Sequence, residues 1–504
     1  MEQERQNGIY DGDKCFVVDE TTWHDLSMDE IFARINTTGS SVGEEYLYRF
    51  LHTMRLDEGE DVLFADPFAP EEVRTPVRKV FTRLGRVKGR SASKLLIALS
   101  KAGREKNTSH ILLALFVLLS MVLIFFSPGI GVLLFVIAIS CSILSYFQKK
   151  SEIEPVLLSF SYVNKMLRAA KEIRKISFEG SDRVREELSG LQKTFGPFSK
   201  SAFLLPSGTI FTENIFEIVL DYIRILFHVD LILYNRLLKL LQEREDDLHR
   251  LYTILGRLDA SVAVADLHDT MPELTKPEFV EERLIDVKDA FHPLLDDPVR
   301  NSIRTEGGIL ITGSNASGKS TFLKTIAICA LFAQTIGLVP AASYKACRFK
   351  LFTSMALSDR ILQGESYFIV ELKSIKRIMD AAADTDAPVL AFVDEVLRGT
   401  NTTERIAASS RILSACAGLP MICFAATHDL ELALILKDHF SNMHFEEEMA
   451  GEDVSFSYRI REGAATSKNA IRLLKSMGFD EAVVQEAEKA ADLYTQTGQW
   501  SVVQ

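Results

Sequence analysis

From Ile111 to Phe147 the chain carries no charged residue across 37 positions. A stretch that apolar is either buried inside a protein or held in a bilayer. It is broken only by Ser127-Pro128-Gly129, a tight-turn signal, so the run reads as a hairpin of two helices. In the first arm, Ile111 to Phe126, 13 of 16 residues are Leu, Ile, Val or Phe. At about −0.3 to −0.6 kcal/mol each they favour insertion by roughly 4 to 8 kcal/mol. Arms of 16 to 18 residues sit near the lower limit for a hydrocarbon core of ~30 Å, which places Ser109, His110 and Tyr146 at the interface. A buried hairpin in a soluble protein and a re-entrant loop are the competing readings.

The flanks carry charge of one sign. Between Arg74 and Lys106 eleven Lys or Arg residues face one acid, Glu105, and Lys149-Lys150 follow the far end. By the positive-inside rule both flanks, and with them both termini, are expected on the cytoplasmic side of a cell membrane crossed twice. The same cluster would attract anionic lipid or nucleic acid; its position beside the hairpin favours lipid, and part of it reads as a solvated helix face. The whole chain is acidic, 57 basic against 69 acidic residues for a net charge of −12, so any nucleic-acid contact must be local. Six dispersed cysteines without a CxxC pair argue against a zinc site or disulfide framework and for a reducing compartment. The polar N-terminus shows no apolar region of a cleaved signal peptide.

At 504 residues the chain exceeds what one core usually organises. Glu152 to Leu191 and Glu213 to Leu267 have helical spacing, interrupted by Gly196-Pro197 and Pro206-Ser207-Gly208, and read as a coiled arm or a helical bundle. The chemistry lies beyond them. An apolar run, Gly308 to Thr312, leads into Gly313-Ser314-Asn315-Ala316-Ser317-Gly318-Lys319-Ser320, a full GxxxxGK[ST] match, and then into a helical pattern. Strand, loop and helix in that order make a phosphate cradle: backbone N–H groups close on the anion, Lys319 reaches the β- and γ-phosphates, and Ser320 can ligate Mg²⁺. A second run, Val389 to Val393, ends in Asp394-Glu395, and a third, Met421 to Ala426, ends in Thr427-His428. Strand ends of a parallel sheet meet at one edge, where Asp394 would hold metal, Glu395 act as base and His428 sense the γ-phosphate.

Four motifs in order carry a resemblance: Ile311 to Thr321, Gly364-Glu365-Ser366 through Leu372, Asp394-Glu395 through Thr400, and Ala426-Thr427-His428. Together they resemble the ATPase domain of MutS mismatch-repair proteins. The resemblance implies ATP and Mg²⁺ as cofactors, held by Gly313, Asn315, Ser317, Gly318, Lys319, Ser320 and Thr321, with Ser320 and Asp394 on the metal. It implies Glu395, Lys319 and His428 as catalytic groups and Ser366 acting in trans, hence a homodimer. Val299 and Tyr458 fall where the family contacts adenine, with a core role the alternative for both. Ser314, Ala316 and Ser317 depart from the family's usual Pro, Met and Gly. Upstream, Ala290 to Leu295 resembles the family's stretch before the first ATPase strand, Arg257 to Ala260 with Lys276 to Phe279 the end of its lever helices, and Asn36 to Leu47 the start of its helical core.

The expected architecture is α plus α/β and multidomain. Residues 1–106 begin a helical core with a basic juxtamembrane segment, 107–150 form a transmembrane hairpin, and 151–284 form a core and lever. Residues 285–504 form a P-loop NTPase domain of the MutS and transporter-ATPase type with a dimerising tail. The expected function is a membrane-anchored ATP-hydrolysing dimeric clamp on DNA, anchored in lipid through residues 111–147. No mismatch preference is expected, since the core begins near residue 24 and no Phe-x-Glu wedge precedes it. The alternative is a mechanical or scaffolding ATPase acting on membrane or protein partners. Residues 151–284, with 17 basic and 22 acidic side chains, weigh towards that alternative.

Overall fold

The computed structural model describes residues 14–57, 66–87, 91–104, 106–201, 222–271, 273–314, 317–355, 367–384, 387–398, 400–450, 453–465, 471, 474 and 478–500. They divide into two compact units, an α/β unit and a helical one, giving an α plus α/β multidomain protein.

The α/β unit takes the described parts of Met1–Ile35, Arg49–Leu63 and Leu267–Gln504. Its strands are β1 (Cys15–Val17), β2 (Thr53–Arg55), β3 (Glu278–Phe279), β4 (Ile285–Ala290), β5 (Asn301–Thr305) and β6 (Gly308–Thr312). They continue with β7 (Ser343–Ala346), β8 (Lys350–Ser354), β9 (Val389–Asp394), β10 (Met421–Thr427), β11 (Phe440–Ala450) and β12 (Asp453–Glu462). The main sheet runs β12-β11-β6-β10-β9-β8, parallel except for the antiparallel edge strand β12. A smaller sheet, β3-β7-β4-β5, and the β1-β2 pair complete the unit. The continuous apolar runs of β6, β9 and β10 suit a sheet buried on both faces. Leu390, Phe392, Ile422 and Phe424 are fully buried, with the Phe392 and Phe424 rings stacked at 5.1 Å across neighbouring strands.

The sequence reading grouped everything up to residue 106 with the helical core, and here the structure corrects it. Residues 14–35 and 49–57 belong to the α/β unit, where the short helix Glu20–Asp25 covers the edge strand β8. Asp25 accepts hydrogen bonds from Thr353 Oγ1 at 2.7 Å and the Met355 amide at 2.8 Å, and the Thr22 hydroxyl accepts from the Thr353 amide at 3.2 Å. An edge strand left bare is a pairing hazard, and these side chains occupy it. Residues 267–284, assigned by the same reading to the lever, also fall in the α/β unit, with Glu278–Phe279 pairing in parallel with β7.

The helical unit gathers Asn36–Tyr48 and the described residues of Phe64–Asp266. Its core joins helices from both sides of the apolar run: Val77, Phe81, Leu95, Val163, Met166, Leu188, Leu238, Leu251 and Leu255 share one buried cluster. Residues before and after the hairpin therefore form one bundle rather than a core followed by a lever. Asp259 ties it together, accepting from the Gly39 amide at 3.1 Å, the Ser40 amide at 3.0 Å and the Ser40 hydroxyl at 2.5 Å.

The apolar run forms two helices, Thr108–Phe126 and Pro128–Ile173, turning at Ser127. They lie against each other near the turn, where a Cβ on Gly131 would stand 2.5 Å from the Ile124 backbone nitrogen. Leu112, Leu119, Phe125, Phe126, Leu133 and Leu144 are all more than 60% exposed, so the hairpin presents an uncovered apolar surface. The second helix does not stop near Lys150 but continues for 46 residues into the bundle core. His110 and Tyr146, read as interfacial, are buried by protein. His110 Nδ1 lies 2.9 Å from His228 Nδ1, and Tyr146 donates to Asp230 at 2.6 Å. The basic cluster is also less free than its sequence implied: Arg74 and Arg78 pair with Asp266, Arg83 with Glu172, Arg86 with Glu44 and Arg104 with Glu243.

Candidate functional site

The loop after β6 is shaped by two glycines. Gly313 has φ 147° and Gly318 φ 104°, a region costly for any residue with a Cβ. A Cβ at Gly313 would meet Phe445 O at 3.0 Å, and one at Gly318 would meet Tyr458 Cδ1 at 3.1 Å. Gly318 caps the helix Lys319–Gln334, whose first amides point at the loop and carry the positive end of the helix dipole. Lys319 is 5% exposed, and its Nζ donates to Gly313 O at 2.8 Å and Ser314 O at 2.7 Å. The ammonium is thus folded over the cradle by the loop's own carbonyls.

Parallel register brings the other groups to the same edge. Ala426 pairs with Asp394 and Thr427 with Thr312, so β6, β9 and β10 end side by side. Ser320 Oγ donates to Asp394 Oδ2 at 2.5 Å. Two hard oxygen donors that close suit a cation such as Mg²⁺, which takes few protein ligands and keeps water or phosphate oxygens for the rest. Among the described residues there is no cluster of three or more His, Cys, Asp or Glu side chains for a more demanding metal.

Beside them, Glu395 Oε1 lies 2.6 Å from His428 Nε2, and Glu395 Oε2 pairs with Arg398. Burial pushes the Glu395 carboxyl up, but the His428 hydrogen bond, with the charges of His428, Arg398 and Lys319, outweighs burial and holds it below its ordinary value. It is a carboxylate able to accept a proton or orient water, with an imidazole on one oxygen. His428 Nε2 is also 3.5 Å from Lys319 Nζ, linking the strand ends to the loop. The groups enclose a cavity of about 260 Å³, lined also by Ser317, Gly318, Thr321, Met355 and Tyr458.

Most of the residues expected from the sequence meet here. Ser317, Gly318, Lys319, Ser320, Thr321, Asp394, Glu395, His428 and Tyr458 line one cavity, and Gly313 shapes its loop. Val299 does not reach the lining; its carbonyl faces Asn301 Nδ2 at 3.5 Å, and the same amide group donates to Tyr458 O at 2.9 Å. Asn315 and Ser366 lie outside the described residues. Three contributors went unassigned from sequence. Arg398 pairs with Glu395; Arg405 grips Asp429 through two hydrogen bonds of 2.8 and 2.7 Å and so fixes the residue after His428. Glu371, 2% exposed, accepts from the amides of Leu397 and Arg398. Glu371 and Arg398 sat inside recognisable motifs, whereas nothing in the spacing singled out Arg405.

An open, mostly parallel α/β sheet with a glycine-shaped loop, a helix N-terminus, two carboxylates and an imidazole at its carboxyl edge belongs to the class of domains that hold an anion there. Residues 309–494 match the family described as MutS domain V. This part of the chain is similar to the MutS family. The chain is 29% identical over 328 residues to the human "MutS protein homolog 4", covering 61% of this chain and 34% of that protein. Identity is 31% over 283 residues to "DNA mismatch repair protein MSH3" of Phaeosphaeria nodorum, 53% of this chain and 25% of the relative. To "DNA mismatch repair protein MutS 2" of Halobacterium salinarum it is 29% over 268 residues, 50% and 29% of the two chains. The chain thus spans between a quarter and about a third of the length of these curated relatives.

Proposed function

We propose that the protein binds and hydrolyses MgATP at this edge and that the hairpin anchors it in a membrane. The observation that carries the reading is the Glu395–His428 contact of 2.6 Å beside the Ser320–Asp394 contact of 2.5 Å, both opening onto the cavity that holds Lys319. In a P-loop site of this kind the helix N-terminus and Lys319 hold the phosphates, and Tyr458, 45% exposed, offers a ring for a base to stack on. Ser320 and Asp394 would hold magnesium, whose charge would offset that of the phosphates. Glu395 would orient the attacking water and take its proton, while His428 fixes the carboxylate and faces the γ-phosphate.

Pairing of two chains, with Ser366 completing the partner's site, follows from the family resemblance. The closing helix Glu481–Thr497 supports it by leaving Val483 and Tyr494 more than 40% exposed, with Phe479 uncovered beside it. Relatives are named for DNA mismatch repair, and we extend DNA association to this chain as an ATP-driven clamp. A second reading, an ATPase acting on membrane or protein partners without DNA, is favoured by the internal pairing of Arg74, Arg78, Arg83, Arg86 and Arg104. Both place the two apolar helices in lipid and the α/β unit in the cytoplasm. The deciding experiment is nucleotide-dependent DNA binding by the detergent-solubilised chain over a salt series. ATP-dependent binding that weakens steeply with salt supports the clamp; no binding at low salt supports the second reading.

A further inference from the structure

A cavity of about 340 Å³ opens in the helical unit where the chain enters and leaves the apolar hairpin. Its wall combines Arg104 and His110 from the entering side, Lys149 from the leaving side and Asn235 from the helix Val229–Glu243, over a floor that includes Ile153 and Leu231. We propose that it is a binding site for the phosphate-bearing headgroup of an anionic lipid. The proposal rests on the membrane reading of the hairpin, which puts this level of the protein in the cytoplasmic headgroup layer.

Three observations carry it. The site is built in advance: Gln242 Nε2 donates to Leu99 O and Ala102 O, both at 2.9 Å, and Asn107 donates to Ile232 O at 3.1 Å while accepting from Asn235 at 2.9 Å. These bonds pin the turn before the hairpin to the neighbouring helix. The volume is at the small end of the range for ligand sites, enough for a glycerophosphate headgroup but not for a whole lipid, whose chains would follow the exposed apolar surface of Leu112 and Leu144. The chemistry is two cations from opposite flanks, with one acid, Glu152, beside Lys149, above an apolar floor; basic pockets between membrane helices recognise anionic headgroups.

Both cations have acidic neighbours, Arg104 with Glu243 at 3.2 Å and Lys149 with Glu152 at 3.0 Å. Such part-exposed pairs are weak and can be exchanged for a phosphate, which the guanidinium fork meets with two parallel hydrogen bonds.

The test uses the full chain purified in detergent and mixed with phosphatidylglycerol or phosphatidylcholine, with bound lipid counted by native mass spectrometry. The wild type should retain phosphatidylglycerol preferentially. Arg104→Gln with Lys149→Gln should lower that retention roughly tenfold or more. Lys171→Gln with Lys175→Gln, on the exposed bundle surface, should leave it unchanged. Equal retention of the two lipids by the wild type overturns the proposal without any variant, as does a double variant that retains phosphatidylglycerol normally. Displacement of the lipid by millimolar inorganic phosphate would mark a free-phosphate site and overturn the lipid assignment. Co-flotation with phosphatidylcholine vesicles separates the two readings: a chain that floats but shows no headgroup preference refutes only this site, and one that does not float refutes the anchor and the site together.

Discussion

Glu371 accepts a hydrogen bond from the amide of Leu397, and Leu397 holds a left-handed φ of 60°. Two residues earlier Glu395 does the same at φ 57°. Non-glycine residues hold such conformations only where their surroundings over-determine them. Here one buried carboxylate, in contact with two successive amides, supplies much of that constraint. Glu371 therefore acts on the reacting edge as a positioning group: it shapes the turn that aims Glu395 without lining the cavity itself.

Replacing Glu371 tests this. Glu371→Ala should lower ATP turnover roughly 10- to 100-fold while changing ATP affinity little, because the phosphate loop is untouched. Glu371→Gln, which keeps an acceptor oxygen, should recover much of the loss. Steady-state turnover with separately measured nucleotide affinity reads both, and wild-type turnover in the alanine variant would remove the role.

The base and the phosphate lysine should separate cleanly. Glu395→Gln should bind ATP and turn over more than ~100-fold slower, whereas Lys319→Ala should lose both nucleotide affinity and hydrolysis. Single-turnover hydrolysis with bound-nucleotide measurement distinguishes them; normal turnover by Glu395→Gln would mean that another group activates water.

Sharing of sites between chains is tested by mixing. A Ser366→Ala chain and a Lys319→Ala chain are each inactive alone, but in a heterodimer both defects fall in one composite site and the other is whole. Regained hydrolysis in isolated heterodimers is expected; none would mean that each site is complete within one chain.

Asp259 predicts a pH effect on the helical unit. Burial pushes its carboxyl up to about 6, against an ordinary value of 3.8, despite the bonds from Ser40 and Gly39. The folded state therefore binds this proton more tightly than the unfolded state. The associated stability is fully present below pH 3.8 and is lost as pH rises to about 6. Relative to Asp259→Asn, the wild type should lose about 3 kcal/mol across that window. Denaturant unfolding of the two proteins between pH 4 and 7 measures it, and curves that stay parallel would refute it.

The candidate site was legible because each of its groups terminates an apolar run: the loop follows β6, Asp394-Glu395 ends β9 and Thr427-His428 ends β10. Strand ends converge in a parallel sheet, so spacing along the chain translated directly into proximity. What stayed hidden was set by partners far away in sequence. Nothing near Thr22 or Asp25 announces that they bind residues 353 and 355. Likewise Arg74 and Arg78 read as a free basic cluster because their partner, Asp266, lies nearly 200 residues on. The helix Pro128–Ile173 was cut short for a different reason: Lys149 and Lys150 end an apolar pattern but break no backbone hydrogen bond, so polarity changes there while the helix does not.

That long helix has a mechanical consequence. Its 46 residues span about 69 Å, and the residue in its interior that cannot donate a backbone hydrogen bond is Pro155, eight positions beyond Phe147. One end carries the apolar surface and the other is locked into the bundle core through Val163, Met166 and Ala170. Between those ends the bond from residue 155 to the Ser151 carbonyl cannot form, so bending concentrates there and the hairpin can tilt in its surroundings without swinging the whole bundle.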